Sequence, residues 1–132
     1  MVGSQTGSQR SLCRPSYVDI GRIQTGIRYF AGDMRNVFVY GCILHVATPS
    51  CRAPEARLAE PSDLANVDQH QNAEYDAGDR SFSFNGSSSF VRIARPVQDD
   101  FTIAFDFCTT QDAGGGGQWY NGCGLVDAEV AG

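Results

Sequence analysis

The sequence predicts a mainly β protein built as an antiparallel β-sandwich, and three observations support this prediction. Apolar and polar residues alternate from Arg80 onward, turn-forming residues separate the alternating runs, and 15 glycines among 132 residues favour turns over long helices. The strongest signal is a row of apolar side chains at every second position, which places them on one side of a strand. Burying each contributes about 1.5–3 kcal/mol, so the row predicts a core face. The row consists of Phe101, Ile103, Phe105 and Phe107.

The length suits one domain, and the composition divides the chain into three regions. Residues 1–16 are rich in small polar residues and predict a flexible arm. Residues 17–79 form an irregular region with short strands and a polar connector. Residues 80–132 carry the sandwich pattern.

The irregular region contains one strong apolar segment. Residues 17–30 place apolar residues at mixed spacings with interrupting glycines, which indicates short strands joined by turns. The segment Val37–Ala47 is nearly continuously apolar and β-branched, as in a strand covered on both faces, although a buried helix has the same pattern. Residues 51–78 are polar and acidic; here Ala53–Glu60 predicts a short helical turn and Ser62 a helix cap.

The C-terminal region predicts its strands one by one. Phe82 and Phe84 share one strand face, and Asn85-Gly86 then supplies a turn. Val91 and Ile93 share the next face, opposite Arg92, and Pro96 ends that strand. The glycine-rich residues 113–118 predict a loop before a last strand through Leu125 and Val126.

Charge and the length of the apolar runs argue against two classes of partner, nucleic acid and membranes. A net charge of −5 and a pI near 4.8 remove the electrostatic attraction on which binding to a phosphate backbone depends, so nucleic acid is not expected. The longest apolar run, Val37–Ala47, is far shorter than the roughly 20 residues that cross a bilayer, so membrane insertion is not expected. Residues 1–26 contain no apolar export signal. If the protein belongs outside a cell, its export signal lies upstream of Met1 or is missing.

Five cysteines are present without CxxC spacing, which argues against a zinc ribbon or a thioredoxin-like motif. Two pairs, Cys42/Cys51 and Cys108/Cys123, are close enough in sequence to close short disulfide loops in an oxidising compartment. Unpaired thiols are the alternative, and the fifth residue, Cys13, has no evident partner.

Three motifs in order resemble the laminin-G-like, concanavalin A-like domains of secreted and surface proteins. They are SFSFNGSSSFVRI at 81–93, DDFTIAFDF at 99–107 and GGQWYNGCGLVDAEVAG at 116–132. The resemblance implies a concanavalin A-like jelly roll without a fixed cofactor, often with a calcium ion at one rim. The family's domain continues past the last motif, so the jelly roll is expected to be incomplete, with residues 17–47 as a potential cover for its open face.

Two groups of residues are the candidate sites. Asp127 and Glu129, two positions apart on a predicted strand, offer oxygen ligands to Ca²⁺; solvated strand-end carboxylates are the alternative. Trp119 and Tyr120, followed by Asn121 beside the glycine-rich loop, offer aromatic faces to a sugar ring. A tryptophan at the edge of the core is the alternative there.

The resemblance implies a carbohydrate-binding or adhesion module of a larger secreted or cell-surface protein. Its partners would be glycans or protein surfaces, and half a sandwich would also self-associate through exposed sheet edges. No catalytic residues are predicted, because a retaining glycosidase needs two carboxylates facing each other across a cleft and only the Asp127-x-Glu129 pair is present. A fragment of a concanavalin A-like glycoside hydrolase and a truncated structural domain without activity are the alternatives.

Overall fold

The computed structural model describes residues 17–23, 28–41, 53–95, 101–112 and 123–127. This part of the chain is mainly β, with one short 3₁₀ helix at Pro61–Asn66. Its nine strands are β1 (Tyr17–Ile20), β2 (Ala31–Tyr40), β3 (Ala56–Leu58), β4 (Gln69–Gln71), β5 (Glu74–Asp76), β6 (Ser81–Asn85), β7 (Phe90–Ala94), β8 (Thr102–Cys108) and β9 (Val126–Asp127).

The strands form two sheets, and every pairing is antiparallel. The four-stranded sheet has the order β4-β7-β1-β9. In the five-stranded sheet β2 is central: β8 pairs along one edge, β6 and β3 share the other edge, and β5 lies outside β6. The chain passes repeatedly between the sheets, so strands from before and after residue 80 are mixed in both. None of the helices in the described ranges has the length and apolar character needed to cross a membrane.

The inner faces of both sheets contribute to one hydrophobic core. Alternation along each strand explains this, because every second side chain points to the same face. The predicted pairs Phe82/Phe84 and Val91/Ile93 are confirmed as buried, on β6 and β7. The fold is therefore β-sandwich-like, as the sequence predicts. The core consists of Val18, Ile20, Phe30, Met34, Val37, Val39, Leu58, Phe82, Phe84, Val91 and Ile93.

The predicted row on β8 is only half right. Residues 102–108 form the expected strand, and Ile103 and Phe105 pack against the core. Phe101 and Phe107, however, are 50% and 53% exposed. Among the described strands β8 pairs with β2 alone, so it lies at a sheet edge, where side chains at the ends of the strand have fewer neighbours.

The second strand starts earlier than the apolar run that predicted it. The strand expected from Val37 begins at Ala31, while residues 42–47 lie outside the described part. A β-bulge explains why the sequence hides the first half: the pairing of β2 with β8 shifts between Arg35 and Phe38, and Asn36 has a φ of 54°. The extra residue breaks the alternation of apolar and polar positions.

The helical turn predicted at Ala53–Glu60 is wrong. Residues 56–58 form β3, because Leu58 pairs with Val37 of β2 and is 1% exposed, and this burial outweighs local helix preference. A helix does follow, but Ser62 does not cap it. Instead Asp63 accepts hydrogen bonds from the backbone amides of Ala59 and Glu60, both at 2.9 Å.

The turn after β6 is confirmed. Gly86 has a φ of 74°, a conformation that glycine adopts without a steric penalty. The Asn85 side-chain oxygen accepts hydrogen bonds from the backbone amides of Ser87, Ser88 and Ser89 at 2.9–3.1 Å. The asparagine side chain therefore satisfies three donors that the turn leaves free.

The disulfide between Cys108 and Cys123 is not formed, and both are free thiols. Cys108 ends β8 in the five-stranded sheet, whereas Cys123 precedes β9 in the other sheet. The unpaired alternative thus holds for these two residues. The other three cysteines lie outside the described ranges.

Candidate functional site

The outer face of the five-stranded sheet, which points away from the shared core, carries a row of polar residues in register. Glu74 pairs with Ser83, Ser83 with Asp33, and Asp33 with Cys108, so the row runs from β5 across β6 and β2 to β8. Strand alternation creates this row. Met34, which follows Asp33, and Phe82 and Phe84, which flank Ser83, point to the core face.

A groove of about 250 Å³ lies on this face. Its floor is formed where β2 passes between β8 and the start of β6. Carboxylates and one guanidinium provide most of its chemistry, with a thiol at one end. The lining residues are Asp33, Met34, Arg35, Asp79, Ser81, Asp106, Phe107 and Cys108.

The charges of the groove do not balance, because three carboxylates face one guanidinium. Arg35 lies 3.4 Å from Asp106, and both side chains are more than half exposed, so this pair is weak. Asp106 also accepts a hydrogen bond of 3.0 Å from the Asn36 amide. Asp33 accepts one from the Ser83 hydroxyl at 2.5 Å. No ion pair or hydrogen bond from the described part of the chain reaches the Asp79 carboxylate.

Ser81 is the most buried polar residue of the groove, with 5% of its surface exposed. It lies on the same strand face as Ser83, two positions along β6, so its hydroxyl is on the groove side. Within the described ranges this hydroxyl has no hydrogen-bond partner. A buried donor and acceptor without a partner costs about 1–3 kcal/mol, which a ligand hydroxyl or ammonium group in the groove would recover.

This arrangement suits a hydrogen-bonding ligand better than a single metal ion. Among the described residues, no three histidine, cysteine, aspartate or glutamate side chains are placed to hold a metal. The carboxylates are instead spread along the groove, which can therefore accept several hydrogen bonds. The Phe107 ring lies on the opposite, core side of β8, because Phe107 pairs with the buried Met34.

A second polar cluster lies on the outer face of the four-stranded sheet, centred on Asp19. The carboxylate is fully buried and accepts hydrogen bonds from Arg92 at 2.7 and 2.9 Å and from Arg22 at 2.8 Å. The hydrogen bond to Asp19 raises the pKa of Arg92. Each guanidinium also stacks on a ring, Arg22 on Phe90 at 3.3 Å and Arg92 on Tyr17 at 3.7 Å. Both arginines are committed to internal contacts, so we assign this cluster a structural role.

The predicted calcium site falls partly within the described structure. Asp127 is half-buried on β9, directly opposite Asp19 in register, and makes an interaction of its own. Its predicted partner Glu129 lies outside the described residues. The predicted sugar-binding residues Trp119, Tyr120 and Asn121 also lie outside them.

Sequence reasoning missed the groove because its residues come from four separate segments. Asp33 and Arg35 flank Met34 in a polar-apolar-polar pattern, which is the one sequence signal for an exposed strand face here. The bulge at Asn36 interrupts that pattern. The approach of Asp79 and Ser81 to Asp106 depends on strand order, which the sequence does not state.

Comparison of this chain with protein-family models, with curated proteins and with solved structures finds no match.

Proposed function

We propose that this chain is a carbohydrate-binding module without catalysis of its own, and that the groove on the five-stranded sheet is its binding site. The observation that carries the proposal is the groove itself, where carboxylates, an arginine and the buried Ser81 hydroxyl, which has no partner among the described residues, line an exposed sheet face. Sugars present many hydroxyl groups, and carboxylates and guanidinium groups form stronger hydrogen bonds with hydroxyls than uncharged side chains do.

The size of the groove supports a small ligand portion. Its volume of about 250 Å³ lies below the roughly 300–1,000 Å³ of pockets for drug-sized molecules, which fits one saccharide ring.

The proposal includes a concanavalin A-like jelly roll and a place outside the cell, as part of a larger protein. Uniform antiparallel pairing and repeated passage between two sheets support the jelly roll. The extracellular location is supported by the resemblance of the C-terminal motifs alone, because the free thiols of Cys108 and Cys123 give no sign of an oxidising compartment.

Glycan-array binding tests this function. The wild-type chain should bind a defined set of glycans, and Asp33→Asn should weaken that binding about threefold or more. Asp112→Asn, an exposed aspartate that does not line the groove, is the matched control and should bind as the wild type does. Absence of binding to any glycan would contradict the proposal.

Three further arms separate the neighbouring alternatives. Loss of binding in Trp119→Ala with no effect of Asp33→Asn would place the site at the aromatic residues predicted from the sequence. Loss of binding in EDTA would indicate a calcium site. Release of shorter sugars from a bound oligosaccharide would identify a hydrolase instead of a binding module.

A further inference from the structure

We propose that the ligand of this groove is a saccharide with a free, protonated amine, such as a glucosamine-containing polysaccharide. This inference rests on the proposed function and specifies its ligand class. The juxtaposition that carries it is the unpaired Asp79 carboxylate, the Asp33 carboxylate and the buried Ser81 hydroxyl in one groove.

The charge of the groove selects for a cationic ligand. The charge of Asp106 is offset by Arg35, and its carboxylate also accepts from the Asn36 amide. Asp33 accepts only from the Ser83 hydroxyl among the described residues, and the Asp79 carboxylate has no partner among them. The two uncompensated negative charges attract a cation and repel uronic acids and sulfated sugars.

The Ser81 hydroxyl is the independent sign that a polar group belongs here. It is 5% exposed and has no hydrogen-bond partner in the described part of the chain, which is uncommon for a buried hydroxyl. An ammonium group has three donors and no acceptor. It would use Asp33 and Asp79 as charged acceptors and the Ser81 oxygen as a neutral one.

The shape of the site favours a saccharide amine over an isolated cation. No three potential metal ligands converge among the described side chains, so the carboxylates do not enclose a point charge. Arg35 adds donors for ring hydroxyls. An ammonium on a sugar ring uses the carboxylates and the Arg35 donors at once.

Isothermal titration calorimetry of the whole chain with three β-1,4-linked hexamers tests the inference. The hexamers are glucosamine, N-acetylglucosamine and glucose, which differ only at the second carbon of each ring. The titration is run at about pH 6, where the amino groups of the glucosamine hexamer are protonated. We expect the glucosamine hexamer to bind about tenfold more tightly than the other two, and the preference to shrink with added salt.

Variants locate the effect in the groove. Asp79→Asn and Asp33→Asn keep the acceptor oxygen and remove the charge, so each should weaken glucosamine binding about three- to tenfold and weaken binding of the neutral hexamers less. Ser81→Ala should weaken it about threefold. Asp112→Asn should have no effect, and circular dichroism establishes that every variant is folded.

The outcomes separate this inference from the function on which it rests. Equal or tighter binding of the N-acetylated or neutral hexamer would overturn the amine and leave carbohydrate binding in place. No binding of any sugar would overturn both. Tighter binding of a lysine tripeptide than of the glucosamine hexamer would overturn the saccharide class and point to a basic protein segment.

Discussion

Asp19 is a charged residue that the fold itself requires. Its carboxylate has no exposed surface, and two guanidinium groups with 12% and 17% exposed side chains donate to it. Because both arginines are largely buried, water cannot fully replace the Asp19 carboxylate as their hydrogen-bond partner. Removing one member of such a buried group leaves the others uncompensated, which costs more than the attraction alone.

We therefore predict that Asp19→Asn lowers the free energy of unfolding by about 3–5 kcal/mol, measured by urea denaturation. Asp112→Asn, which removes an exposed carboxylate, should change it by less than about 0.5 kcal/mol. If Asp19→Asn lowers the free energy of unfolding as little as Asp112→Asn does, solvent must reach the two guanidinium groups.

Asp63 gives the molecule a dependence on pH. Burial raises its pKa, but hydrogen bonds from the amides of Ala59 and Glu60 and from Arg57 outweigh burial, so the pKa is lowered. A carboxyl with a lowered folded-state pKa stabilises the fold above its unfolded value, about 3.9, and this stabilisation is lost as the pH falls through the folded value.

We predict that stability falls on acidification below about pH 5 and that Asp63→Asn reduces the slope of that fall. Urea denaturation at a series of pH values measures it. The variant should also be less stable than the wild type at neutral pH, because its amide cannot form the charged interactions with Arg57. An unchanged slope would contradict the assignment.

Among the elements, β2 determines most of the five-stranded sheet. It pairs with three strands, and its bulge places two residues, Asn36 and Val37, opposite Phe105. Asn36 adopts the left-handed conformation that asparagine tolerates better than other residues with a β-carbon, and its amide donates to Asp106. The bulge thus sets the position of one groove carboxylate.

We predict that Asn36→Ala destabilises the fold by about 1–2 kcal/mol, because alanine pays the full steric cost of a positive φ. Asn36→Gly removes the side-chain amide but allows the positive φ, so it should destabilise the fold less than Asn36→Ala does. Thermal denaturation measures both variants. Equal losses for the two variants would mean that the hydrogen bond to Asp106, and not the backbone conformation, makes the main contribution.

The elements that the sequence predicted well are those with local signals. Phe82 and Phe84, or Val91 and Ile93, alternate within one strand and are followed by a turn residue or a proline. The candidate site lacked such signals. Asp33 and Asp79 line the same groove only because β2 and β6 pair. The sequence of β3 predicted a helical turn because the burial of Leu58 against Val37 depends on tertiary structure.

The whole molecule depends on strands from both halves of the chain. β1 lies between β7 and β9, and β2 lies between β8 and β6, so each sheet has a strand from the first 40 residues inside it. Both sheets then bury their inner faces in one core. In the described structure, strands from before and after residue 80 therefore pair with each other in both sheets.

We predict that the complete chain unfolds in a single cooperative transition, and that residues 80–132 expressed alone do not fold. Far- and near-ultraviolet circular dichroism should give coincident urea transitions for the complete chain and no transition for the fragment. A cooperative transition in the fragment would show that the last strands form a sheet without β1 and β2.

The pairing of Tyr17 with Ala94 also has a consequence for synthesis on the ribosome. The amino-terminal strand leaves the exit tunnel long before β7 and β9 exist, and its apolar residues Val18 and Ile20 have no neighbour to cover them in that interval. Contacts so distant in sequence form slowly, because closing the intervening chain precedes any gain from pairing. Val18 and Ile20 therefore remain uncovered by β7 until residues 90–94 have been synthesised.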